Sequence, residues 1–81
     1  MEYRYRDEVF EELAHHGVRP RPSTPPALVR GYLSVLYRYE IRRLRTRLLL
    51  GEIPNDNYVA EVVALRQRYP LLSIPPRFWA S

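Results

Sequence analysis

Proline placement constrains this chain more than any other feature. Eight prolines occur, at positions 20, 22, 25, 26, 54, 70, 75 and 76. Proline ends or kinks a helix, because it lacks an N–H and its ring collides with the preceding turn. The stretch between Pro26 and Pro54 is therefore the one long segment free to run as a single helix. Only Gly31 interrupts it before Gly51 supplies a stop. The spacing predicts a second helix over residues 25–50, with Thr24 as its cap and Pro25 at its first position, where the missing N–H costs nothing.

Apolar periodicity fills in the rest. Val9, Phe10, Leu13 and Ala14 share one helical face, Asp7 can cap it, and Gly17 follows as the stop, giving a first helix over 7–17. Tyr58, Val62, Leu65 and Tyr69 fall at i, i+4, i+7 and i+11, a single stripe that predicts a third helix over 55–69, ended by Pro70. Its short connection to the second helix implies an antiparallel hairpin. Residues 1–6 read as a short arm, 18–24 as a stiff proline-rich strap, and 70–81 as an extended aromatic tail that cannot continue as helix past Pro75 and Pro76. The expected fold is thus all-α: one three-helix domain with a long central helix, a strap and a tail.

An 81-residue chain has a thin core, and with no cysteine it has neither disulfides nor thiolate metal sites to support it. It must rely on close helix packing or on another chain. The second helix sharpens the point, because it carries two apolar stripes. One is Val29, Leu33, Leu36, Tyr37, Ile41, Leu44 and Leu48; the other is Leu28, Tyr32, Val35 and Tyr39, on a different side. The other two helices could cover them in a monomer, or a second copy of the chain could do so in a dimer. The tail adds Leu71, Leu72, Ile74, Phe78 and Trp79, which also need cover.

Charge is divided along the chain. Residues 1–18 hold two arginines against five acids, a net of −3, while residues 19–81 hold eleven arginines against four acids, a net of +7. All 13 basic residues are arginine, which suits bidentate contact with carboxylates and phosphates but is also what codon bias would give. The acidic head could fold back on the basic body or dock on a basic partner. Arg38, Arg42 and Arg45 form a stripe opposite the main apolar face, and Glu40 beside that face is expected to be partly buried in a structural pairing.

No constellation for catalysis is visible. Ser34 lies mid-helix with no adjacent base, and the other serines are equally isolated. His15 and His16, with Glu11 and Glu12 four residues before them, lack zinc spacing, and neighbours on a helix point about 100° apart, so helix-end stabilisation is the simpler account. A helix-turn-helix is disfavoured because Asn55, Asp56 and Asn57 stand where base-reading residues would be needed. Neither enzyme, metal nor cofactor is expected. No apolar run reaches the roughly 20 residues of a membrane span, so the chain is expected to be cytoplasmic.

Seven tyrosines, Trp79 and the arginines make a composition typical of contact surfaces. The reading is a non-catalytic protein–protein interaction module, an accessory or assembly subunit or a homo-oligomer. Tyr32, Arg38, Tyr39, Arg42, Arg45, Phe78 and Trp79 are its expected partner-binding residues. The alternative is a non-specific nucleic-acid binder, with the arginine stripe on phosphates and tyrosines stacked on bases.

Overall fold

The computed structural model describes residues 1–81 and is all-helical: α1 spans Asp7–His15, α2 spans Pro26–Leu49 and α3 spans Asn55–Gln67. The tail follows as two 3₁₀ turns, Pro70–Ser73 and Pro76–Phe78. The molecule is elongated, 49 × 18 × 16 Å, as a helix of 24 residues and about 36 Å dictates. No helix is long and apolar enough to cross a membrane.

α2 is the spine. Its main apolar stripe turns inward as the periodicity requires: Val29, Leu33 and Leu44 are buried, and Leu36, Tyr37 and Ile41 pack against the core. α3 packs along the second half of α2 across the turn at Gly51, whose φ of +78° is open to glycine without strain. The pair runs antiparallel, since Tyr69, two residues past the far end of α3, reaches back to Glu40 and Tyr37. Ile53 closes the turn from inside.

The tail is the largest departure from expectation. It is not extended. Where α3 stops, Pro70 starts a 3₁₀ turn, and the chain continues along the first half of α2, where Arg30 Nη2 donates to the Leu72 carbonyl at 2.9 Å. The Arg30 Nε is buried there without a partner. Paired prolines at 75 and 76 preset the backbone for a second turn, and that turn drives Trp79 into the core. Trp79 is 0% exposed, and its indole N–H donates to the Ile74 carbonyl at 2.9 Å.

The N-terminal arm then clasps the tail. Tyr5 and Ala80 form an antiparallel bridge; Arg4 and Ser81 exchange backbone hydrogen bonds, and the Arg6 N–H donates to the Trp79 carbonyl at 3.0 Å. The Tyr5 hydroxyl reaches the Thr24 carbonyl at 2.6 Å, and the Tyr3 N–H reaches the Pro22 carbonyl at 2.7 Å, so the arm also holds the proline-rich connection between α1 and α2. α1 contributes Val9 and Leu13 to the same core.

Two caps differ from expectation. Asp7 is the first helical residue of α1, preceded by Arg6 at the cap position without a side-chain bond. Thr24 does not cap α2; its hydroxyl accepts from the Arg21 N–H at 3.1 Å, and Pro25 takes the cap position. α3 ends at Gln67, two residues before Tyr69, which frees Tyr69 to turn inward.

Candidate protein-binding face

At 100° per residue, Leu28, Tyr32, Val35 and Tyr39 fall within about 60° of arc on α2. That arc faces away from α3, the tail and the core. All four side chains are between 54 and 67% exposed, so the second apolar stripe of α2 is left open. A shallow groove runs beside its first half. α2 gives the floor through Ala27, Gly31 and Tyr32, and the connection gives a wall through Val18, Pro20 and Arg21. Gly31 has no side chain on that floor, and a Cβ there would meet nothing within 4 Å.

Arginines border the face. Arg38 and Arg42 stand on its shoulder, Arg45 lies one turn further along the same side, and all three are exposed. Arg38 Nε makes only a long contact, 3.4 Å, with the Ser34 carbonyl. The one ion pair within 4.0 Å in the molecule is His15 with Glu12, inside α1, so none of the 13 arginines is engaged by a carboxylate. The charge of exposed Arg38, Arg42 and Arg45 is free for a ligand or partner, since an arginine held in an internal bidentate pair would have to lose it first.

Of the expected binding residues, the structure brings Tyr32, Tyr39, Arg38, Arg42 and Arg45 onto one side of α2. Trp79 is corrected: its side chain is core, and it has no surface to offer a partner. Phe78 is half-exposed, with the Arg77 guanidinium 4.8 Å over its ring, and the groove beside Tyr32 takes no residue from the tail. The connection wall is what sequence reasoning missed. Val18 and Pro20 carry no periodic signal; the Val18 N–H bond to the Leu13 carbonyl at 2.9 Å and the Tyr3 and Tyr5 bonds further along the connection hold this wall in place.

A polar joint sits between the two halves of α2. His16, just past α1, stacks on Tyr69 at 4.3 Å between ring centroids, while Tyr37 meets the same ring edge-on at 5.3 Å. The Tyr69 hydroxyl donates to Glu40 Oε2. Glu40 is thus partly buried and paired, with tyrosine rather than arginine as its partner. Burial first, and then the hydrogen bond and the Glu40 charge, push the Tyr69 phenol up to about 12. A phenol held protonated in this way is neither base nor nucleophile at neutral pH. No three of His, Asp and Glu gather closely enough to hold a metal ion.

No protein-family model, no curated protein and no solved structure matches this chain.

Proposed function

We propose that this protein is a non-catalytic protein–protein interaction module whose contact surface is the outward face of α2. Tyr32 and Tyr39 act as anchors on an apolar strip with Leu28 and Val35, and Arg38, Arg42 and Arg45 pair with acids at the rim. The proline-rich segment 18–24 serves as a strap that fixes one wall of the groove.

One observation carries this reading. A four-residue apolar stripe stays open on a chain that otherwise buries its largest aromatic completely. The fold hides Trp79, Leu13 and Leu33 and still leaves Leu28, Tyr32, Val35 and Tyr39 in water. Apolar side chains contiguous at helical spacing and bordered by charge are the usual form of a helix-groove contact, and tyrosine and arginine are the residues that dominate such contacts.

The test is a photo-crosslinking phenylalanine analogue placed at Tyr39 in the living cell, with the same analogue at exposed Gln67 as control. A protein adduct at position 39 that is absent at position 67 is expected. No protein adduct at 39 overturns the reading.

A second reading, non-specific nucleic-acid binding, has the unpaired arginines in its favour. It accounts for Arg38, Arg42 and Arg45 and for stacking by Tyr32 and Tyr39, and leaves Leu28 and Val35 without a role. The same crosslinker decides it, by yielding a nuclease-sensitive adduct. Binding should then fall steeply with salt.

A further inference from the structure

We propose that the α2 face is occupied by α1 of a second copy of this chain, the two chains docking reciprocally, α1 of each on α2 of the other. The proposal rests on reading that face as a protein-binding surface, and it names the partner.

The chain carries two halves of a charge complement and does not bring them together within one molecule. Between Leu13 and Gly51 there are eight arginines and one acid, Glu40. Glu40 is turned toward Tyr69, so it does not balance the outward face. Residues 1–12 hold the opposite excess: Glu2, Asp7, Glu8, Glu11 and Glu12 against Arg4 and Arg6. Folding back in cis would set these acids against the arginines, yet no arginine nitrogen lies within 4.0 Å of a carboxylate oxygen anywhere in the fold.

α1 also has the shape the face requires. Val9 and Leu13 point into the core. Phe10 and Ala14, which periodicity groups with them, fall instead at the margin of that buried face: with Asp7 and Glu11 they stand at i, i+3, i+4 and i+7 on an adjoining strip, on which Phe10 and the two acids are exposed. Laid on the stripe Leu28, Tyr32, Val35 and Tyr39, it puts an aromatic ring against apolar side chains and its acids within reach of Arg38 and Arg42. Two α2 faces packed directly together would instead set arginine against arginine with no acid to offset them.

Size argues for reciprocity. α1 has nine residues and is about 14 Å long, so one α1–α2 contact falls well short of the roughly 800 Å² per partner of a standard interface. A two-fold pair doubles the contact and closes the assembly, so that no sticky end remains to propagate.

The experiment is sedimentation velocity on the full chain and two charge-swap variants, Glu11→Arg and Arg38→Glu/Arg42→Glu. All three positions are exposed, and Trp79 fluorescence with far-ultraviolet circular dichroism checks that each variant is folded. The expected result is a wild-type dimer that dissociates on dilution and with added salt, because the charges are screened. Each variant alone is expected to be a monomer, and an equimolar mixture of the two to recover the dimer, since both reciprocal contacts then pair opposite charges. Wild-type monomer at every concentration, a dimer indifferent to both swaps, or a mixture that stays monomeric overturns the proposal. Its failure is distinct from failure of the binding reading: a monomeric chain that still gives a protein adduct at position 39 has a partner other than itself.

Discussion

The two halves of α2 are held in different ways. Along its first half, α1, the tail, the arm and the proline-rich connection converge, and the three side chains excluded most completely from solvent, Trp79, Leu13 and Leu33, are all here. Along its second half only α3 lies alongside, the buried side chains are Leu44, Ile53 and Leu65, and Leu49 and Leu50 stand in water at the tip. The first half is a clasp of segments remote in sequence. The second is a local hairpin, with most of its contacts across one turn. The clasp can leave one side of α2 open because four other segments cover the rest.

The sharpest way to break this contrast is Trp79→Ala. Truncating a fully buried tryptophan costs about 3–5 kcal/mol, a large fraction of what so small a fold holds. It also removes the indole bond to Ile74 and loosens the strand pairing of Arg4 with Ser81. The prediction is loss of cooperative thermal unfolding, while Leu44→Ala on the hairpin side costs about 2–4 kcal/mol and leaves the clasp closed. Native-state hydrogen exchange checks it: amides at Arg6 and Ser81 should lose protection in the first variant and keep it in the second. Equal effects at both sites would mean that the two halves unfold as one unit.

The same contrast explains what could be read from the residues. The hairpin was legible because each of its helices carries an inward stripe at helical period, and Leu44 and Leu65 are buried as that period demands; the same stripe of α2 runs on into the clasp, where Val29 and Leu33 are buried. The open stripe was legible as a stripe, but periodicity cannot say which of two apolar faces the rest of the chain will reach. The tail was misread. Prolines at 75 and 76 forbid an α-helix but equally allow a 3₁₀ turn, and it is the turn that carries Trp79 inward. The caps at Asp7 and Thr24 were misplaced by one residue each, since Arg6 and Pro25 already have the extended backbone the position needs. The bridge of Tyr5 to Ala80 joins residues at opposite ends of the sequence, and no local pattern marks it.

The joint between the halves gives an intermediate effect with a pH signature. Tyr69→Phe leaves Glu40 partly buried without its donor, at a cost of about 1–3 kcal/mol. Because the folded chain holds the Tyr69 proton up to about pH 12, against 10 for the unfolded chain, the folded state binds more protons than the unfolded one above pH 10. Stability from this group is therefore complete below pH 10 and lost between 10 and 12. Tyr5, raised by burial and by Tyr3, acts in the same direction. Chemical denaturation of wild type from pH 9 to 12 should show the falling limb, and in Tyr69→Phe that limb should be shallower. An unchanged slope would place the alkaline loss elsewhere, in Tyr5.

Gly31 gives the smallest effect and separates folding from binding on the open side of α2. A glycine inside a helix costs about 0.8–1.0 kcal/mol relative to alanine, and an alanine Cβ here meets nothing within 4 Å. Gly31→Ala should therefore raise stability by about 0.5–1 kcal/mol, seen as a rise of several degrees in the melting temperature. The added methyl would stand on the floor of the groove between the connection and Tyr32. If a partner helix approaches the α2 backbone there, the methyl holds it off and the dimer weakens while the monomer becomes more stable. Sedimentation and calorimetry on one variant then move in opposite directions, whereas a glycine that only marks sequence drift would let stability rise with association unchanged.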